Sequence, residues 1–406
     1  MKFLNLKTMA EALEIIRNNT NPLADYEICK LSAAGGRCIA EDIFSREDYP
    51  AFYKSTVDGY ALQAAETNGA SDSIPAFFTL VEEVEIGENP RGISGGETSY
   101  VPTGAVLPEG ADAVVMLEYS QDSKGEIQIF SAVSPGENIV EQGDDFCTGD
   151  LLLKKGTIID FKHICLLAAV GEARVKVKKK PKIRIISTGD ELEEIDKKIL
   201  TKGRIRDTNS LSLAYMCEKL GGEVLKTSLI KDDYKSLLTE TEQALKEADF
   251  IILSGGSSVG KKDYTKDILE EIGKKKLLIE GIAVKPGKPT LFTTAANKPI
   301  LGLPGHPLAA MMLFRILGSE IIERLTEQEK KANTLSATLK KNVPGGAGYT
   351  NLVRVKLFKE EKEFFAEPIF SKSVLLRGLR ESDGFLLLDE EKEGYLQGTK
   401  VEIFPW

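Results

Sequence analysis

The chain has 406 residues, 42% hydrophobic and 28% charged, the composition of a globular protein. Its 53 Lys and Arg against 62 Asp and Glu give a net charge of −9, which argues against nonspecific nucleic-acid binding, where affinity comes largely from phosphate neutralisation. No stretch approaches the roughly 18 apolar residues of a membrane-spanning helix, and at roughly 150 residues per domain about three domains are expected.

At the N-terminus, Thr8, Met9, Ala10 and Glu11 read as a capping box opening an amphipathic helix to about Arg17, and not as a signal peptide. A cytoplasmic location is the expectation. Five cysteines, Cys29, Cys38, Cys147, Cys165 and Cys217, form no CxxC pair and suit free thiols in a reducing compartment. Cys147 is expected to be a small buried apolar residue. The only histidines are His163 and His306, which argues against a zinc centre. The lysine runs 178–180 and 274–276 read as solvated faces.

Three textures follow one another along the chain. Up to about Lys180, short helices give way to brief strands with Gly and Pro turns, a β-rich region. From Pro181 to about Leu325, strands and helices alternate. KIRIIS is followed by a helix from Ser210 to Leu220 closed by Gly221 and Gly222, then EVLKTSLI, a helix from Tyr234 to Ala248, FIILS, and a helix after Asp263. That alternation predicts a doubly wound parallel sheet with helices on both faces. Ligands bind such sheets beyond the carboxyl ends of the strands, where STGDEL, SGGSSVG, KPGKP and LPGHP fall. From about Thr334 the short strands TLSATLKKN, LVRVKLF, FLLLD and TKVEIF predict a small β-barrel or sandwich.

The densest chemistry lies in IILSGGSSVGKKDYTKD and AVKPGKPT. Gly255, Gly256 and Gly260, with Ser254 and Ser257 between strand and helix, can turn backbone N–H groups toward an anion, aided by the helix N-terminus. A tight turn with no ligand is the competing reading. Lys285 and Lys288, three apart around Pro286–Gly287, suit an oxyanion as paired point charges. Glu191 and Asp263 stand after strands where both could reach one hard cation such as Mg²⁺, with Asp190, Asp232 and Asp233 as further candidates. Asp263 also reads as a helix N-cap, and Asp58–Gly59 as a hairpin turn.

STVDGYA (55–61), PTGA (102–105), GADAVVMLE (110–118), GDD (143–145), STGDEL (187–192), RDTNS (206–210), SGGSSVGKKDY (254–264), KPGKP (285–289) and LPGHP (303–307) occur in that order. In this the chain resembles the MoeA/gephyrin family over nearly its whole length. The resemblance implies a multidomain α/β plus β fold: a linking domain from 1–44 and 140–180, an inserted β-rich domain at 45–139, a molybdopterin-binding α/β domain at 181–327 and a β-barrel at 328–406. It also implies a homodimer that hydrolyses adenylylated molybdopterin with Mg²⁺ and inserts molybdate, releasing molybdenum cofactor and AMP. Partners implied are a molybdopterin adenylyltransferase and cofactor-receiving apoenzymes. Catalytic roles are implied for Glu191, Asp263, Asp58 and Asp145, and metal contacts for Glu191, Asp263 and Asp232. Binding is implied for Thr103, Ser254, Gly255, Gly256, Ser257, Gly260, Lys285, Lys288, Pro304, Pro307 and Ser373. Asp58, Thr103 and Asp145 are implied to reach a cleft completed by the second subunit.

The chain departs from the family pattern at its oxyanion end. LPGHPLA places His306 where an amide is usual and Ala309 where a hydroxyl is usual. PGGAGYT places Tyr349 near an expected arginine, while Arg354 is retained. In SKSVLLRGLR, Ser373 is retained, but Val374 and Arg377 stand where glycine and serine are frequent. His306 could supply a donor, and Arg377 or Arg380 could restore positive charge. The alternatives are a tungstate-inserting variant, a non-catalytic molybdopterin-binding scaffold, and adenylyl transfer from ATP.

Overall fold

The computed structural model describes residues 6–255, 264–274, 277–328, 334–346, 348–370 and 376–406. The first helix, Met9–Asn19, begins as its sequence dictates. The Thr8 hydroxyl accepts from the Glu11 N–H and the Glu11 carboxylate accepts from the Thr8 N–H, satisfying two otherwise orphaned donors. Its Met9, Ala12 and Ile16 face the main core, and Arg17 donates to buried Glu320 at 2.7 Å on the helix Ser319–Thr326.

After that helix, the strand Tyr26–Lys30 pairs antiparallel with Arg174–Lys178, so the chain returns to close this unit before entering the next. Lys178 does not lie on a solvated face. It is 8% exposed, ion-paired with Glu327 and bonded to the Leu23 carbonyl at 3.2 Å, because the strand end is covered by the turn after Ser319–Thr326. Between these limits lies a six-stranded sheet containing Gly59–Leu62, Ala76–Glu83, Glu97–Val101 and Ala113–Met116. Alternate residues of these strands build two small apolar clusters, around Tyr60, Phe78 and Ile127 and around Val84, Val101 and Val114.

A second six-stranded sheet carries the main core. Lys182–Thr188 and Phe250–Ser254 are its centre, flanked by Glu223–Ile230 and Lys298–Leu303, and these four run parallel. Their near-continuous Ile and Leu runs are what a strand covered on both faces requires. One face is covered by Asn209–Lys219, Pro307–Leu313 and Ser319–Thr326, the other by Tyr234–Glu247 and Tyr264–Ile272. The doubly wound arrangement holds, but the sheet is mixed: Leu291–Ala295 and Ile279–Glu280 extend it antiparallel. The tight turn at Ala296 and Asn297, both at positive φ, makes a two-residue hairpin where a crossover helix would have kept the strands parallel.

The C-terminal strands close on themselves. Thr350–Glu360 pairs with Glu363–Pro368 and Gly384–Leu388, and Leu335–Leu339 and Lys400–Pro405 complete a five-stranded barrel. Its interior is filled by Val355, Ala366, Leu386 and Ile403. Thr350 and Asn351 also pair with Val284 and Lys285, so the barrel is stitched to the lysine loop. Among the described residues no helix is long and apolar enough to cross a membrane.

Candidate active site

An open cavity of about 990 Å³ lies at the carboxyl ends of the parallel strands. Its wall combines Ser187, Thr188 and Glu191 from the first strand and its loop, Asn209 from a helix start, Ser254 and Gly255 from the central strand, and the Pro304–Pro307 turn. Of the residues singled out in the sequence, Glu191, Ser254, Gly255, Pro304 and Pro307 therefore meet at one place. Gly256, Ser257, Gly260, Asp263 and Ser373 lie outside the described residues.

Gly255 is dictated by packing. With φ +105°, it puts its Cα where a Cβ would stand 2.1 Å from the Thr188 carbonyl oxygen. Its N–H is donated to the Leu303 carbonyl at 3.3 Å, and its own carbonyl accepts from the buried Thr265 hydroxyl at 3.1 Å. Gly255 thus locks adjacent strand ends together, and its N–H is committed to that role rather than to an anion.

Glu191 is exposed at the cavity edge. Asp232, also exposed, accepts from the Thr188 hydroxyl at 2.7 Å and donates its N–H to Asp190 at 3.3 Å, so these bonds tie the loop after Lys182–Thr188 to the loop after Glu223–Ile230. Asp233 is not a free ligand. It caps the helix Tyr234–Glu247, accepting from the Ser236 N–H and hydroxyl, bonds that hold its carboxyl below the usual range. No cluster of three His, Cys, Asp or Glu suited to a metal ion is present among the described residues. Mg²⁺ is commonly held by one or two carboxylates plus substrate phosphate, and exposed Glu191 offers such an oxygen here.

The lysine loop borders this cavity through Pro289, which lines it. Lys285 and Lys288 are exposed, and the loop is closed by the Ile282 N–H to the Lys288 carbonyl at 3.0 Å and by the Thr290 hydroxyl to the Gly287 carbonyl at 2.7 Å. The Lys288 ammonium stands 6.0 Å from the centre of the Tyr349 ring. His306 is exposed on the cavity wall and its side chain does not cap the helix Pro307–Leu313. Ala309 is buried in that helix, whereas Arg377 is engaged by Glu381 at 2.7 Å.

Asp58 and Thr103 come together on the first sheet. One Asp58 oxygen accepts both the Thr103 N–H at 2.7 Å and its hydroxyl at 2.9 Å, which holds the carboxyl below its usual range. Asp145 is exposed in a loop ordered by Asp48, which accepts the Thr148 N–H at 2.8 Å and hydroxyl at 2.9 Å. Cys147 in the same loop is exposed rather than buried, because it sits in a surface turn where its N–H is donated to the Asp150 carboxylate at 2.8 Å. None of these residues lines the cavity.

Reasoning from sequence gave no role to Arg206, Asp207 and Asn209, which line the wall. Asp207 is buried and caps the following helix, accepting the Asn209 and Ser210 N–H groups at 3.1 and 3.2 Å. The RDTNS segment was the available signal.

The fold and this cavity define a multidomain protein with a doubly wound binding domain. Family models describe residues 7–171 as the MoeA N-terminal region (domain I and II), 184–324 as a probable molybdopterin binding domain and 336–406 as the MoeA C-terminal region (domain IV). The chain belongs to the MoeA family, the transferases of molybdenum cofactor biosynthesis. It is 34% identical to a putative molybdopterin biosynthesis protein of Methanocaldococcus jannaschii, over 91% of this chain and 89% of that one. It is 33% identical to the molybdopterin molybdenumtransferase of Haemophilus influenzae, over 94% of each. The molybdopterin biosynthesis MoeA protein of Pyrococcus horikoshii superposes with a TM-score of 0.87 at 30% identity, covering 99% of this chain and 100% of that one.

Proposed function

We propose that this chain is a molybdopterin molybdenumtransferase that takes adenylylated molybdopterin and molybdate, and releases molybdenum cofactor and AMP. The observation that carries the reading is the convergence of Glu191, Ser254 and the Pro304–Pro307 turn on one large cavity beside the paired-lysine loop. A phosphoanhydride and an oxyanion need fixed donors and positive charge, and the cavity wall with Lys285 and Lys288 supplies both. Ser254, Ser257, Gly256 and Gly260 would hold the ligand's phosphates, with Pro304 and Pro307 shaping the wall and Ser373 as a further binding residue. Glu191, Asp263 and Asp232 would hold a Mg²⁺ ion, which when bound lends positive charge to the phosphoanhydride. His306, exposed toward the same space, would add a donor for molybdate.

AMP release from adenylyl-molybdopterin with Mg²⁺ should require molybdate, and should fall tenfold or more in Asp263→Ala, a barrier change of about 1.4 kcal/mol. Binding without molybdate-dependent release would instead favour a scaffold protein. Paired titrations with molybdate and tungstate distinguish the two oxyanions.

Asp58, Thr103 and Asp145 lie away from this cavity on their own subunit, so the reading takes the protein as a homodimer in which they face the cavity of a second copy. Asp58→Ala and Asp263→Ala should each be inactive alone. Mixed and allowed to exchange, they should regain about a quarter of wild-type activity, since half the dimers are hybrids with one intact site. Activity that stays absent in an exchanged mixture would place all these residues in one chain's site. The units 1–44 with 140–180, 45–139, 181–327 and 328–406 are the parts that this dimer would arrange.

A further inference from the structure

Two loops meet over the floor of the cavity, and one side chain holds both. Asn209, the first residue of the helix Asn209–Lys219, is only 6% exposed. Its Nδ2 donates to Ser254 Oγ at 2.8 Å and to the Gly305 carbonyl at 3.0 Å. Ser254 ends the central strand, and Gly305 follows its parallel neighbour, whose Leu303 is the register partner of Ser254. A carbonyl can only accept, so the Gly305 bond fixes which way the amide faces. Among the described residues Asn209 Oδ1 is buried without a hydrogen-bond partner, and so is the Oγ of Ser187, the register partner of Ser254 on the other side. Both residues line the cavity. Buried acceptors without partners are costly and uncommon, so two beside a ligand cavity mark a place where shape is kept for a reason other than stability.

We infer that Asn209 is a positioning residue, acting through the Gly305–His306 turn to set the gap between that turn and the end of the strand Phe250–Ser254, where the molybdopterin moiety seats. The inference rests on the molybdopterin-binding reading above. Shortening or losing the Nδ2 bridge lets the turn carrying Pro304 and His306 drift from Ser254. The pterin seat then loosens, while the lysine loop, held by its own bonds and by the barrel, stays in place.

Asn209→Asp keeps the volume but turns a carboxylate, with no N–H to give, toward the Gly305 carbonyl. Molybdopterin binding, read by pterin fluorescence, should weaken about tenfold or more, and the KM for adenylyl-molybdopterin should rise in step. The half-saturating molybdate concentration, set by Lys285 and Lys288 as well as by His306, should rise less than the KM for adenylyl-molybdopterin, and kcat should change less than KM. Asn209→Ser, which retains one donor on a shorter arm, should recover part of the lost affinity and serves as the reading where the Asp variant fails to fold. An unchanged Kd and KM with a lower kcat, as a smaller folded fraction would give, overturns the inference. Equal losses of molybdate and molybdopterin affinity overturn it too. Failure of the wild-type protein to bind molybdopterin would instead remove the functional reading on which it rests.

Discussion

Gly255→Ala is expected to lower the unfolding free energy by about 3 kcal/mol, the sum of a left-handed backbone for an L residue and overpacking against a neighbouring backbone. The new Cβ would sit 2.1 Å from the Thr188 carbonyl oxygen at φ +105°, and neither the strand end nor the carbonyl can rotate away, since both belong to the central sheet. Gly203→Ala is the control. Gly203 has φ +90° with nothing within 4 Å of its Cβ position, so it carries the backbone cost alone, about 1–2 kcal/mol. The excess of Gly255→Ala over Gly203→Ala, read from urea midpoints at constant m, isolates the close approach. Equal costs would mean that the strand end yields and the packing account is wrong. Where the variant folds, the shift should also reach function. Thr188 bonds Asp232 on one side of the cavity, and Gly255 bonds Leu303 just before the Pro304–Pro307 turn on the other.

Sequence pattern reaches the local events and stops at the long-range ones. The Thr8–Glu11 box, the Ile and Leu runs of the buried strands and the alternation of strand and helix are each encoded within a few residues, and each appears where it is expected. The strand Glu363–Pro368 was hidden in the charged run around it, and only pairing with Leu335–Leu339 and Thr350–Glu360 makes it a barrel stave. Lys178 reads as solvated because its partner, Glu327, lies far along the chain. Asn209 shows the same limit at the site, its two partners being 45 and 96 residues away. Motif order points to the family and to the loops that build the cavity. It does not say that the Gly255 N–H is already committed to Leu303, which only the register of adjacent strands decides.

Glu240→Ala should cost about 3 kcal/mol at neutral pH, the lower end of the range for stripping a partner from a buried charge. Arg184, in the strand Lys182–Thr188, has its side chain 1% exposed and pairs with Glu240 and with Glu247, the latter 42% exposed. Glu240 also accepts from Ser228 at 2.5 Å and pairs with Lys226 at 3.2 Å. Removing Glu240 leaves a buried guanidinium with one half-solvated carboxylate, which is why the loss is large but not at the top of the range. Arg184→Met combined with Glu240→Met should recover most of it, since the buried charge leaves along with its partner. The cost should also depend on pH. Burial pushes the Glu240 carboxyl up, but the Ser228 hydroxyl, Lys226 and Arg184 outweigh it, and the net shift is below the ordinary value of 4.5. A depressed folded-state pKa stabilises the fold fully above the unfolded value and loses that stabilisation as pH falls toward the folded one. The difference between wild type and Glu240→Ala should therefore be constant near neutrality and narrow below about pH 4.5. A gap that widens on acidification would mean that Glu240 is protonated in the folded protein and that Glu247 alone balances Arg184. In that case Glu247→Ala, and not Glu240→Ala, should carry the larger loss, because the strand supplying Ser187, Thr188 and Glu191 to the cavity depends on whichever carboxylate neutralises its buried cation.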